Sequence, residues 1–238
     1  MTKRGLVGAW CPSLGATGFR LQDRSGRNNH GTLTNMASTA WVTSGGKGAL
    51  SFDGVDDEIQ IPHNPSLSFT SSQFITMTTW VRLTTSAGYR TVFTKRIGAS
   101  ANYELSFNNT TNQFGFFNGT GFTVSTLAVT QGEWSHIACT AGPSGGAYFL
   151  NGVAAGTFSY AIGTPNSDPL RYGSANNQQR LTGQLDDGRI YNRALTAPEI
   201  QQMYVGGRGF GLIPERPRRR GTAAVISNRR RRVLLTAG

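Results

Sequence analysis

Hydrophobic residues recur along the chain in short runs, separated by clusters rich in glycine, asparagine and serine. In segment 76–83, apolar and polar positions alternate with the period of two that buries one face of a β-strand. Strands joined by tight turns in this way predict two antiparallel sheets packed face to face. The predicted strands are 6–10, 49–52, 58–61, 74–83, 91–95, 103–107, 113–117, 134–138, 146–150 and 183–191.

One short helix is predicted after the last strand. Thr196 can cap its first turn, Pro198 is compatible with that turn, and Glu199 completes a capping box. The apolar residues that follow, including Tyr204, share one helical face, and Gly206 ends the helix. We therefore expect an all-β protein with a single short helix at the edge of the sandwich.

Composition agrees with this pattern. The 238 residues suit one β domain, and 31 glycines with only 15% charged residues are typical of many short strands and turns. No apolar stretch approaches the roughly 20 residues that a membrane-spanning helix needs, and the first ten residues do not have the pattern of a signal peptide.

Cys11 and Cys139 are expected to be buried thiols, with a disulfide as the alternative.

The positive charge lies mostly at the C-terminus. Nine arginines and one glutamate follow Val205, so residues 206–238 carry +8 of the formal net charge of +11. We therefore divide the chain into a domain at 1–205 and an extended basic arm at 206–238. In isolation the arm cannot bury enough apolar surface to offset the entropy of ordering, so it is expected to need a partner.

Two partners fit the composition of the arm. Its arginines could bind nucleic acid through phosphates, or they could pair with carboxylates while the apolar pieces between them attach to other subunits of an assembly. The apolar segment 233–235 favours the subunit interpretation, since a nucleic-acid tail has no need of it. The predicted partner-binding residues are Arg216, Arg218, Arg219, Arg220, Arg229, Arg230, Arg231 and Arg232.

Five sequence blocks point to a known family. They are LQDRSGRNNHGTL from Leu21, ALSFDGVDD from Ala49, GEWSHIA from Gly132, YFLNG from Tyr148 and LTGQLDDGRIYNRALT from Leu181. In their order and spacing, from about residue 5 to 205, they resemble laminin G-like, concanavalin A-like lectin/glucanase domains of the bacterial and phage type. The resemblance implies a two-sheet antiparallel jelly-roll sandwich. Phe52, Trp80, Trp134 and Ile190 would anchor its core.

The best candidate for bound chemistry is a structural calcium ion. Loop 23–31 concentrates oxygen donors of the kind that Ca²⁺ prefers, and the resemblance implies that Asp186 lies near it. The candidate ligands are Asp23, Asn29 and Asp186, although the sequence has Asp187 where the family often has glutamate. The alternative is that Asp23 forms an Asx turn and Asp186 ties down a loop by hydrogen bonds.

A second acidic group is interpreted as a turn. Asp53, Asp56, Asp57 and Glu58 lie close in sequence, but neighbours in a strand face opposite sides and cannot all converge. A solvated turn is therefore the favoured interpretation.

An enzyme is not predicted. The paired carboxylates that glucanases of this fold carry at alternate positions are missing, and His30, His63 and His136 lie in separate segments. Glycan binding remains open because aromatic residues occur in loop-like segments, although the sequence assigns no binding set. Those aromatic residues are Trp41, Tyr89, Phe122 and Tyr172.

Together these features predict a non-catalytic structural and adhesive protein. The favoured hypothesis is a bacteriophage virion surface component, a capsid decoration or fibre protein, that forms a homo-oligomer and is anchored by its arm. The alternative is a carbohydrate-binding module of a secreted bacterial surface protein, located outside the cell or on its surface.

Overall fold

The computed structural model describes residues 3–85, 88–98, 100–175 and 179–208. Within these residues the chain forms sixteen strands and one α-helix, α1 (Ala197–Val205). The strands are β1 (Leu6–Trp10), β2 (Arg20–Leu21), β3 (Gly31–Thr34), β4 (Trp41–Ser44), β5 (Lys47–Asp53), β6 (Glu58–Ile61), β7 (Ile75–Leu83), β8 (Arg90–Ile97), β9 (Ser100–Phe107), β10 (Gln113–Phe117), β11 (Phe122–Ala128), β12 (Ser135–Gly142), β13 (Gly145–Leu150), β14 (Val153–Phe158), β15 (Leu170–Tyr172) and β16 (Thr182–Tyr191).

The strands form two antiparallel sheets. The first sheet has the order β14-β13-β12-β7-β16-β5-β4. On the side of β16 opposite β7, β5 pairs with residues 182–185 and β1 pairs with residues 188–191. The second sheet has the order β11-β10-β9-β8-β15-β6-β3-β2. Neighbours are often distant in sequence, as where β16 lies between β5 and β7. The predicted all-β, two-sheet jelly-roll sandwich is confirmed.

The main core fills the space between the sheets. Phe93 of β8 stacks on Tyr172 of β15 with ring centroids 4.6 Å apart. Trp10 is fully buried and donates its indole N–H to the carbonyl of Asn29 at 2.8 Å. Phe52 and Ile190 belong to this core, as predicted.

Two predicted core anchors lie elsewhere. Trp80 is buried on the other face of the first sheet, where its ring contacts His136 and Tyr204. Trp134 is half-buried and lies against Arg208. Trp80 is thus buried, as predicted for a core anchor, but outside the main core, whereas the prediction that Trp134 anchors the core is wrong. Aromatic residues cover the outer side of the first sheet as well.

Helix α1 forms as its sequence predicts. The Glu199 carboxylate accepts a hydrogen bond from the backbone N–H of Thr196 at 2.9 Å, as a capping box requires. Ile200 is fully buried in a second, smaller apolar cluster between the helix and the outer face of the first sheet. The helix therefore covers part of that sheet and extends the sandwich to a third layer there.

Both cysteines are free and buried, so the preferred interpretation of two buried thiols is confirmed. Within the described part of the chain, no helix has the length and apolar character to cross a bilayer.

Candidate functional site

The outer face of the second sheet carries a row of polar residues. Strand register places Gln60 beside Arg171, Arg171 beside Thr94, Thr94 beside Glu104, and Glu104 beside Phe117. The alternate residues of the same strands are buried in the main core. This face therefore presents polar side chains away from the core, as the period of two requires.

One end of this row opens into a cavity of about 270 Å³. Its lining residues are Tyr89, Arg96, Glu104, Ser106, Phe117, Phe122 and Gln179. Tyr89 and Phe122 pack edge to face with ring centroids 6.2 Å apart, and Tyr89 remains 41% exposed. We call this cavity the aromatic cleft.

The floor of the aromatic cleft is a fixed carboxylate. Glu104 is only 2% exposed, and its Oε2 accepts from the Thr94 hydroxyl at 2.9 Å and lies 3.2 Å from Arg96 Nε. With the Gln179 amide oriented to satisfy both its ends, its nitrogen lies 3.2 Å from Glu104 Oε1 and its oxygen 3.3 Å from Arg96 Nη2. Burial raises the pKa of Glu104, and the charge of Arg96 opposes that shift.

Arg96 connects this floor to an aromatic wall. Its guanidinium carbon lies 5.6 Å from the centre of the Phe117 ring, while its Nε faces Glu104. The wall and the polar floor are therefore held in one arrangement by the same side chain. Such a cleft offers ring faces for stacking and hydrogen-bonding groups for a polar rim.

A second buried glutamate continues the polar row beyond the aromatic cleft. Glu58 is 2% exposed, and its Oε2 lies 3.7 Å from Arg171 Nε and 3.5 Å from Arg180 Nη1. The hydroxyl of Ser174 donates to the same oxygen. Both glutamates of this face thus have partners inside the protein, which fixes their orientation.

The structure brings together two of the four aromatic residues considered for glycan stacking. Tyr89 and Phe122 line the aromatic cleft, whereas Tyr172 is fully buried in the main core. Trp41 is half-buried and donates its indole N–H to the Gly18 carbonyl at 2.9 Å. Sequence reasoning missed the contributions of Arg96 and the other lining residues, although the alternation along β8 to β10 places several of them on the outer face.

The proposed calcium loop holds Asp23 and Asn29 together. Asp23 accepts four hydrogen bonds, from the backbone N–H groups of Ala9, Ser25 and Asn29 and from the Ser25 hydroxyl, at 2.7 to 2.9 Å. The Asn29 amide donates to the carbonyl of Val7 at 2.7 Å. These bonds are those of an Asx turn that ties the loop to β1.

The third candidate ligand has different partners. Asp186 is fully buried, accepts from the Ser13 backbone N–H at 3.2 Å, and has Arg208 Nε at 3.9 Å. Burial raises the pKa of Asp186. Because Asp23 is saturated by protein donors and Asp186 faces a cation, the three residues do not make a calcium cage as they stand. Calcium binding stays a prediction, and no step of the function is derived through it.

The acidic turn after β5 differs from its prediction in one respect. Carboxylate oxygens of Asp53, Asp56 and Asp57 all lie within 4.8 Å of one another, so three of the four acidic residues do converge. They converge because residues 54–56 form a bend, with Gly54 at φ +81°, and alternation does not apply there. Asp53 Oδ1 accepts from Val55 N–H and Asp57 Oδ2 from Asp53 N–H, the internal bonds of a turn.

His136 is buried beside Trp80, and burial lowers its pKa to about 3, so it is neutral. The predicted partner-binding arginines, Arg216 to Arg232, lie outside the described residues, which end at Arg208. Of the predicted arm at 206–238, only residues 206–208 are described.

Solved structures similar to this one include binding domains, a domain of a larger enzyme, and a sialidase. Domain 4 of AbnA, a GH43 extracellular arabinanase from Geobacillus stearothermophilus, in complex with arabinotriose, has a TM-score of 0.65 at 19% identity, covering 84% of this chain and 98% of that domain. The binding domain of Paraclostridial Mosquitocidal Protein 1 has a TM-score of 0.67 at 16% identity, covering 85% and 52%. Trypanosoma rangeli sialidase in complex with sialic acid has a TM-score of 0.63 at 16% identity, covering 85% and 33%.

These likenesses show the fold, and the chain spans about half of the mosquitocidal binding domain and a third of the sialidase. A search of curated protein sequences finds no significant match. The family model described as "Concanavalin A-like lectin/glucanases superfamily", of the laminin G type, matches residues 53–201, more than half of the chain. With its two antiparallel sheets and outer-face cleft, the chain belongs to this laminin G-like family of the concanavalin A-like lectin/glucanase superfamily.

Proposed function

We propose that this protein is a non-catalytic carbohydrate-binding module that holds a glycan in the aromatic cleft. The observation that carries the proposal is the pairing of Tyr89 and Phe122 above a floor made by Arg96, Glu104 and Gln179. The C–H face of a sugar ring packs on aromatic rings, and its hydroxyls need hydrogen-bonding partners at the rim. The cleft supplies both, in a volume of about 270 Å³.

The arabinotriose complex of the arabinanase domain supports the choice of probes. Binding is to be measured by isothermal titration calorimetry against arabino-oligosaccharides, xylo- and gluco-oligosaccharides, and sialyl-lactose. We expect one of these classes to bind in the micromolar to millimolar range, as is common for exposed sites with few ordered partners.

Two variants test the location of the site. Tyr89→Ala and Phe122→Ala each remove one stacking ring, and we expect each to weaken binding about tenfold or more. Phe19→Ala is the matched control, because Phe19 is 62% exposed and does not line the cleft. If Tyr89→Ala and Phe122→Ala bind the oligosaccharide as tightly as Phe19→Ala does, the glycan binds elsewhere on the protein. Failure of every probe to bind would contradict the proposal itself.

The non-catalytic part of the proposal rests on the two buried glutamates. A glycosidase needs one carboxyl group to give a proton to the leaving oxygen and a second to act as base or nucleophile. The carboxylates of Glu104 and Glu58 each pair with an arginine and accept a hydrogen bond from a hydroxyl inside the protein. We expect no reducing ends to appear when the best-binding oligosaccharide is incubated with the protein, and their release would overturn this part.

We further propose that the module serves a larger assembly, as an adhesive component of a bacteriophage virion surface in which the basic arm contacts other subunits. The support is compositional: nine arginines with interleaved apolar segments follow Val205. The mass of the native assembly is to be compared with and without residues 209–238. A loss of the oligomeric or particle-bound state is expected on deletion, and an unchanged state would leave the secreted bacterial module as the better hypothesis.

A further inference from the structure

Arg208 is buried, although it belongs to a basic arm by sequence. Only 7% of it is exposed, and its guanidinium carbon lies 3.8 Å from the centre of the Trp134 ring. Its Nη2 donates to the carbonyl of Ser44 and, at 3.4 Å, to the carbonyl of Lys47. One guanidinium group is thus enclosed by an aromatic face and two backbone carbonyls.

The walls of this enclosure are held by contacts that do not involve Arg208. The indole N–H of Trp134 donates to the Ser44 hydroxyl at 3.1 Å. Ser44 and Lys47 close the turn between β4 and β5, where Gly45 and Gly46 have φ of +58° and +74°. A Cβ at Gly45 would make ordinary van der Waals contact with the Trp134 ring and with Arg208 Nη2, at 3.9 and 3.8 Å. The turn therefore lies directly against both the ring and the guanidinium.

A buried carboxylate completes the enclosure. Asp186 is fully buried, and its Oδ1 is fixed by the Ser13 backbone N–H at 3.2 Å. Its Oδ2 lies 3.9 Å from Arg208 Nε and makes no hydrogen bond within the described residues. The charge of Asp186 is compensated at that oxygen by Arg208.

This set of groups matches a guanidinium rather than an ammonium ion. A planar cation stacks on an indole while its edge donates to carbonyls and its charge lies beside a carboxylate, whereas lysine offers a compact point charge. We propose that Trp134, Asp186 and the Ser44–Lys47 turn form a guanidinium-binding slot, which Arg208 occupies in cis and which holds the chain at residue 208 against the first sheet. The slot lies on the first sheet and is independent of the aromatic cleft.

The proposal is tested by emptying the slot and filling it again. In the 238-residue chain, Arg208→Ala leaves the walls in place, and titration with methylguanidine at millimolar concentrations should change the Trp134 fluorescence with saturation. Methylammonium is the matched ligand, and Arg82→Ala, which removes a nearby arginine and leaves Arg208 in place, is the matched variant. Neither should give a saturable change, and wild-type protein should not respond.

Two further variants make the assignment specific. Asp186→Asn in the Arg208→Ala background should weaken methylguanidine binding about tenfold, the effect of losing one charge-assisted contact. Arg208→Lys should fail to restore the thermal unfolding midpoint of the wild type, whereas methylguanidine should raise that of Arg208→Ala. If Arg208→Ala and wild type respond equally, or if methylammonium binds as well as methylguanidine, the slot does not exist. If Arg208→Ala does not fold and Arg208→Lys does, a lysine ammonium suffices at this position, and guanidinium recognition is equally overturned.

Discussion

Tyr204 stacks on Trp80, with ring centroids 5.7 Å apart and planes inclined by 27°. This contact joins α1 to the outer face of β7 and explains why a tryptophan of that strand is buried outside the main core. Helix and sheet therefore share an aromatic interface that neither forms alone.

Removal of this ring should loosen the helix. Tyr204→Ala is expected to lower the free energy of unfolding by about 1 to 2 kcal/mol, since an aromatic pair and its buried area are lost. Urea denaturation measures the change. Gln201→Ala, on an exposed position of the same helix, should cost little. Equal effects of the two changes would mean that the stack does not hold the helix.

The start of α1 should give a pH-dependent contribution to stability. Glu199 accepts from Arg193 Nη1 and Nη2, at 2.9 and 2.7 Å, and the Arg193 guanidinium lowers the pKa of Glu199 from 4.5 to about 2. A lowered acid pKa stabilises the fold above pH 4.5, and that contribution is lost as the pH falls towards 2.

Glu199→Gln should therefore cost about 1 to 2 kcal/mol at pH 7 and little near pH 2. Unfolding curves at several pH values give the difference between variant and wild type. Glu133→Gln, on an exposed side chain, is the control and should show no such trend. A constant penalty at every pH would argue against the ionised Glu199–Arg193 pair.

Asp23 should matter for stability whether or not calcium is present. Asp23→Ala leaves the buried N–H groups of Ala9 and Asn29 without their acceptor, which we expect to cost about 3 kcal/mol. The thermal midpoint is to be measured with excess Ca²⁺ and with a chelator, beside Glu133→Ala as an exposed acidic control outside the acidic turn. If calcium stabilises wild type and not Asp23→Ala, the ion is bound at this loop after all.

Both thiols should be unreactive in the native protein. Burial and the charge of Asp187 raise the pKa of Cys11 to about 12, and burial raises the pKa of the fully buried Cys139. The thiolate is the reactive form, so a disulfide reagent at pH 8 should label neither residue until urea unfolds the chain. Rapid labelling of one thiol without denaturant would show that its strand opens locally.

Six strands were not predicted from the sequence. They are β2, β4, β11 and β14, which stand at the ends of the two sheet orders, and the short interior strands β3 and β15; β1, which pairs only with β16, was predicted. Strands β2, β3, β4 and β15 have only two to four residues, too few to show a period clearly. Strands β11 and β14 have one neighbour each in their sheet and several exposed positions, so their sequences are mixed. The ten predicted segments contain apolar runs or regular alternation, which can be recognised in the sequence.

The sequence by itself determined the fold class, the family and the capped helix, because strand periodicity, turn residues and the capping box are local patterns. It also placed Tyr89 and Phe122 among the candidate aromatic residues. Only the tertiary structure decided which candidates meet. Register between β9 and β10 brings Glu104 beside Phe117. The chain after α1 brings Arg208 against Trp134, which precedes β12. Such contacts join residues far apart in sequence, and no local pattern encodes the pairing of distant strands.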